Sequence, residues 1–357
     1  MSKKAGIVGA GLVGRLLALR LLQNGWQVTL FDKFGKNDMQ SCGAVAAGML
    51  ALYSESEKME QVVFDLGMRS LNLWPSIINS MLGNTSFKML GSLVVAHRND
   101  MPDLERMRMF IRKRLYISDL QIIDEAILKK LEPDLSFSCG LYLSGEGHID
   151  SSQFFYNIKC TLESYNAIWY EYTTVTKIVD KAIIVENKRE YKFDFIFDCR
   201  GVDARGDLPN LRGVRGEIIS LYAPQVSLNR PVRLIHPRYS IYIVPRAGSK
   251  FVVGATEIES YDMSEVSVQS VLELLSAAYS VHKGFAEARI INMSRNCRAA
   301  FPNNLPKIYL EGNNLVRING LYRHGYLLAP SLIEKVMLLL EGRLNNDALI
   351  EVVDKLI

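Results

Sequence analysis

Two stretches near opposite ends of the chain hold residues whose types and spacing could do chemistry. At the amino-terminal end Gly9, Gly11 and Gly14 spell G-x-G-x-x-G. Gly9 allows a tight turn, Gly11 lets a pyrophosphate approach the backbone, and Gly14 lets a helix pack closely on a strand. Asp32 follows 18 residues after Gly14 (32 − 14), where it can bind ribose hydroxyls and would repel the extra phosphate of NADP. The chemistry this points to is dinucleotide binding. Near the other end, "GLYRHGYLLAP" (Gly320 to Pro330) sets Arg323, His324 and two tyrosines between glycines, just ahead of the apolar run "SLIEKVMLLLEG". A fixed positive charge at the mouth of a helix is a group for holding an anion.

The elements that must position these residues are readable around them. Ala5 to Val8 is a short apolar strand, Leu12 to Leu22 a helix-length apolar run ending before Gly25, and Gln27 to Phe31 a second strand closing on Asp32. The helix amino terminus would face the phosphates with its exposed N–H groups and positive dipole end. "YKFDFIFDCRG" alternates and ends at Gly201, as a strand entering a turn on the nucleotide side. From "LRGVRGEIISLYAP" to about residue 300 the pattern is antiparallel β, with "IYIVPR" and "KFVVGAT" flanking "AGS" as a hairpin.

A chain of 357 residues suits two domains, or one large α/β unit with an insertion. With 48% hydrophobic residues it can bury a sizeable core. The net charge of +4 is too mild to imply nucleic acid. The densest basic stretch, "RMRMFIRKR" (Arg106 to Arg114), reads as a solvated helix face, with a membrane-surface or RNA contact as the alternative. The five cysteines are scattered, without CxxC or Cys/His pairing, so neither a disulfide framework nor a metal site is expected. "MSKK" runs straight into the glycine-rich motif, and no apolar run reaches the ~18 residues of a membrane span, so the expected location is cytoplasmic.

The run "SCGAVAAGMLALYSESE" (Ser41 to Glu57) is rich in small residues. It would let backbone pass close to a flat ligand, nearest at Gly48, or else form a small-residue helix packed under a sheet. Its "AAGML" with acids just after, then "IYIVPR", "VVGAT" and "GLYRHGYLLAP", follow G-x-G-x-x-G in one order along nearly the whole chain. In that order the sequence resembles the D-amino-acid oxidase superfamily, and within it the glycine oxidase branch that serves thiazole synthesis in thiamine biosynthesis. The resemblance implies non-covalent FAD. It also implies an α/β fold, in which a Rossmann-like FAD domain (1–80, 146–205, 301–357) is interleaved with an α+β substrate domain (81–145, 206–300) on a mostly antiparallel sheet.

The resemblance also assigns roles. Gly48 and Met49 lie against the flavin side, and the Val175 backbone touches adenine. Arg298, in "NCRAAFPNNLP", holds the substrate carboxylate, and Tyr242 donates a second hydrogen bond to it. Arg323 lies beside substrate and flavin together, and Gly325 keeps the backbone slim near the ring. Pro330 and Ser331 would begin the last helix, whose positive end stabilises charge on the flavin. Three departures stand out. His324 is either a functional group near the flavin or a loop histidine bonded to a carbonyl, and Ala299 breaks the family's local turn. Glu257 would repel a carboxylate or favour an amine if it faces the pocket, and would mean nothing if it faces solvent.

The implied activity is oxidation of glycine or a similarly small amino acid to an imine, with oxygen as acceptor and hydrogen peroxide as product. One alternative is a D-amino-acid or sarcosine dehydrogenase passing electrons to a quinone. Another is a tRNA-directed or non-catalytic flavoprotein. The implied partners are the small amino acid and oxygen, with no nucleic acid, no membrane and a homo-oligomeric assembly.

Overall fold

The structure, a computed structural model, describes residues 2–115, 120–236, 240–344 and 347–353. Among these the strands form four sheets. The first has seven strands, in the order Ile350–Val353, Lys307–Glu311, Leu315–Asn319, Phe195–Asp198, Lys4–Val8, Gln27–Phe31, Ile168–Tyr170. All neighbours are parallel except Lys307–Glu311 with Leu315–Asn319. Its middle strands are apolar because both faces are covered. One face carries the helix Leu12–Gln23, itself packed against Ser151–Ser164 and Gly325–Leu340. The expected strand–helix–strand unit at the amino terminus is present within a residue at each boundary, and Gly25 closes the helix at φ +76°.

The second sheet has nine strands and is antiparallel except where Val232–Ile235 meets Ser92–Ala96. Its long pair, Arg212–Tyr222 with Arg289–Ala300, runs beside the hairpin Ser240–Arg246 and Lys250–Gly254 that the sequence suggests. The helix Val268–Val281 backs this sheet and closes a separate apolar core with Ile219, Val253 and Phe251. The chain enters the first sheet at 4–31, leaves for the second at 92–143, returns at 168–198, leaves again at 212–300 and ends in the first. The two units are interleaved.

The last helix corrects one expectation. It begins at Gly325, and Pro330 lies inside it rather than at its start. Proline has no N–H to close the rung back to residue 326. Trp74 Nε1, on the neighbouring helix Gln61–Asn79, donates to the Tyr326 carbonyl instead, at 2.8 Å. The next amide, Ser331 N, turns to Ser70 Oγ at 3.1 Å, and Ser331 Oγ donates to Leu66 O at 2.7 Å. A buried neighbour thus supplies the partners that a helix starting only at Pro330 would have made unnecessary.

Candidate active site

A cleft of about 1070 Å³ runs from the carboxyl ends of the first sheet's strands, at Val8, Phe31, Cys199 and Asn319, to Ile218, Tyr242 and Arg298 of the second. Parallel α/β sheets present their ligand crevice at that end of the strands. Gly9, Gly11, Asp32, Gly48, Met49, Val175, Tyr242, Arg298, Arg323 and Gly325 all line it. Gly14 does not. A Cβ there would fall 1.9 Å from Gly9 O, so its place is the close packing of helix on turn.

The nucleotide half is made of backbone. Gly9 has φ +95°, and a Cβ on it would meet Cys199 O at 2.6 Å. At Gly11 the first atom a Cβ would meet is Ser41 Cβ at 3.8 Å, which leaves the turn open to an incoming phosphate. Asp32 accepts from Ala10 N at 2.5 Å and Phe34 N at 2.8 Å, pinning the turn while its carboxylate stays on the cleft wall. No side chain among the described residues caps Leu12–Gln23 or Gly325–Leu340, and both amino termini open on the cleft. Two such ends, a glycine cradle and one carboxylate fit a dinucleotide whose phosphates are negative and whose ring gains negative charge on accepting electrons. Gly48 has a second reason for being glycine. A Cβ on it would lie 2.1 Å from Ile149 O, on the strand Gly147–Ile149 that pairs with Met49 and Leu50.

The other half is made of charges brought together from distant segments. Arg298 projects from Arg289–Ala300, and its guanidinium lies over Gly216, where a Cβ would come within 2.3 Å of Nη2. Arg298 Nη1 donates to Thr256 O at 3.1 Å. Among the described residues Arg298 has no ion-pair partner, so its planar fork is open to a ligand carboxylate. Tyr242 is half-buried in the strand Ser240–Arg246. Burial pushes its phenol up, so it stays a neutral donor.

Arg323 differs from Arg298. Its Nη2 is 2.8 Å from Glu55, and its Nη1 donates to Glu257 Oε2 at 2.9 Å. Arg233 also donates to Glu55, and the Tyr322 hydroxyl to Glu257. Arg323 therefore stands in the cleft with its fork already taken by two carboxylates of the chain. Burial pulls its pKa down, but Glu55 and Glu257 outweigh that and hold it firmly charged. Burial likewise pushes Glu55 up, yet Arg233 and Arg323 keep its carboxyl well below the usual range. For Glu257, burial is outweighed by the Tyr322 hydroxyl and Arg323, and its pKa is lowered. Glu257 faces the cleft, which answers the question its position raised. His324 also lines it; burial pushes the imidazole down to about 4, so it is neutral at neutral pH.

Glu55, Arg233 and Gly216 were not among the residues the sequence singled out, and Tyr322 was noted only as a tyrosine beside Arg323. Glu55 lies in the noted acidic run "SESE". Its turn is held by buried Glu146, which accepts from Tyr53 N and Ser54 N, each at 2.6 Å, and from Ser92 Oγ at 2.5 Å. Arg233 had one readable signal: it is a charged residue in the otherwise apolar strand "VRLI". Among the described residues no cluster suits a metal ion, and no helix is long and apolar enough to cross a membrane.

Comparison with known proteins finds relatives over most of the chain. A family model described as FAD dependent oxidoreductase matches residues 4–334. A putative thiamine biosynthesis oxidoreductase ThiO from Rhizobium etli is 38% identical over 330 residues, covering 92% of this chain and 93% of that protein. Glycine oxidase of Geobacillus kaustophilus is 24% identical over 342 residues, covering 91% and 89%. The crystal structure of that glycine oxidase superposes with a TM-score of 0.83 at 23% identity, covering 96% of each chain, a likeness of fold.

Proposed function

The chain belongs to the FAD dependent oxidoreductase family, and on that footing we propose that it oxidises glycine or a similarly small amino acid to the imine, with oxygen as acceptor and hydrogen peroxide as product, for the thiazole part of thiamine. FAD is the cofactor, and the enzyme class is amino acid oxidoreductase. The observation that carries the reading is the open guanidinium of Arg298, held over Gly216 at the far end of a cleft that begins in a dinucleotide cradle.

In this reading Gly9, Gly11, Asp32 and Val175 hold the nucleotide, while Gly48, Met49 and Gly325 border the ring. FAD, when bound, supplies the acceptor for the hydride that leaves the substrate α-carbon. The protein's own task is orientation, which is worth much of the barrier when a substrate is held in one pose. Arg298 grips the carboxylate with two parallel hydrogen bonds, and the neutral Tyr242 hydroxyl donates a third. Arg323 orders the wall: tied to Glu55 and Glu257, it keeps both carboxylates from competing for Arg298.

The same geometry weighs against a membrane-docked dehydrogenase. In the helix Met101–Leu115, Arg106 pairs with Asp103 and Glu57, Arg108 pairs with Glu105, and Arg114 donates to Ser56 O. Much of the basic stretch is thus compensated within the chain. The test is a visible spectrum of the purified protein with glycine added anaerobically. Bleaching that recovers in air, with peroxide formed, is the expected outcome. Bleaching without recovery would point to a quinone-linked enzyme. A yellow protein indifferent to glycine, sarcosine and D-amino acids would remove the reading.

A further inference from the structure

The substrate end of the cleft carries a charge balance that bears on which substrates enter. The guanidiniums of Arg298 and Arg323 line it with the carboxylates of Glu55 and Glu257, and Arg233 pairs with Glu55 from outside the lining. Glu55 takes Arg233 and shares Arg323, and Glu257 takes the other arm of Arg323. Among the described residues Arg298 is the cleft-lining arginine of this group without a carboxylate partner. Glu257 is also near Arg298 in space, since Arg298 Nη1 donates to the carbonyl of Thr256, the residue just before Glu257. Tyr322 closes the ring: its amide donates to Ala299 O at 2.9 Å and its hydroxyl to Glu257. Arg298 and Glu257 thus line one part of the cleft, one offering a guanidinium without a carboxylate partner among the described residues and the other a negative charge.

We propose that Glu257 is a specificity-determining residue that limits the site to substrates with a single carboxylate, by holding Arg323 and by setting a like charge where a second carboxylate would lie. This rests on the amino acid oxidase reading above and deepens it. An amine carrying two carboxylates would place the second against Glu257, with no second unpaired arginine lining the cleft among the described residues. Small neutral side chains, or none, meet no such penalty. Because the Glu257 side chain is 40% exposed, salt should weaken the discrimination.

Two variants of the FAD-loaded enzyme separate charge from space. Glu257→Gln keeps the size and removes the charge, while Glu257→Ala removes both. Binding is read from the shift in flavin absorbance on titration with acetate and with malonate, neither of which can be oxidised as an amine. In Glu257→Gln the malonate-to-acetate affinity ratio should rise about tenfold over wild type, and the rise should shrink at high salt. The ratio of kcat/KM for D-aspartate to that for glycine should move in the same direction. If the malonate-to-acetate ratio moves by less than threefold in Glu257→Gln with FAD retained, the proposal falls. If Glu257→Ala alone raises it, the residue acts by bulk, and the proposal falls as well. Failure of the wild type to oxidise any amine would sink the functional reading, while the two-acid titration would still decide the charge question.

Discussion

The two halves of the cleft are built on opposite plans. The nucleotide half is a product of neighbours in sequence: Gly9, Gly11, Gly14 and Asp32 lie within one strand–helix–strand unit, and what they offer a ligand is mostly backbone. The substrate half is assembled from segments around residues 55, 233, 257, 298 and 323, and what it offers is ionised side chains. A site of backbone and missing side chains breaks when anything is added. A site of paired charges breaks when one member is removed.

The largest effect should come from adding to the first. Gly14→Ala would set a methyl 1.9 Å from Gly9 O, a contact that only a backbone shift can relieve. Strain of that kind should cost several kcal/mol and should yield a protein that is colourless or insoluble. Glycine oxidation measured after refolding with excess FAD should not return. A soluble yellow Gly14→Ala protein would show that the helix can move off the turn, and would erase the contrast.

Next comes subtraction from the second. Glu55 is 7% exposed and serves two arginines, and removing one partner from a buried ion pair costs roughly 3–5 kcal/mol. Glu55→Ala should therefore lower the melting temperature markedly while the FAD spectrum persists. The pH dependence follows from sign. The Glu55 pKa is depressed in the fold, so its contribution is present above the ordinary carboxylate pKa and is lost as pH falls through the folded value. The acid limb of stability should accordingly be flatter in the variant than in wild type.

The smallest expected effect is the most informative about chemistry. Arg298→Ala should raise KM for glycine by roughly 10- to 100-fold, as expected for a net loss of about 1.5–3 kcal/mol of hydrogen bonding to a charged group, with FAD bound as before. Stability should barely change, because Arg298 has no ion-pair partner among the described residues to leave behind. An unchanged response to glycine would mean that the carboxylate is held elsewhere.

The contrast also explains what the sequence could and could not reveal. Glycine spacing and the acid at the end of the second strand are local facts, and the structure finds those elements where the pattern placed them. Gly48 was readable as a glycine that backbone needs, but its crowding neighbour, Ile149 O, lies about a hundred residues away and left no mark nearby. Pro330 misleads for the same reason: its tolerance inside a helix depends on the Trp74 indole, 252 positions from the Tyr326 carbonyl it serves. Arg323 was visible as a charge at a helix mouth. That its fork is filled by Glu55, 268 positions away, was not. Patterns of spacing report turns and periodicity, whereas ion pairs between remote segments obey no spacing.

The interleaving of the two sheets has a consequence on the ribosome. Lys4–Val8 meets Gln27–Phe31 as soon as both have emerged, but on its other side Ala5 pairs with Phe195, 190 residues later (195 − 5). At about 5–20 residues per second that neighbour arrives roughly 10–40 s afterwards. The helix whose amino terminus opens on the far end of the cleft emerges later still. For that interval the nascent glycine turn stands at an open sheet edge, before the segments that complete the cleft have emerged.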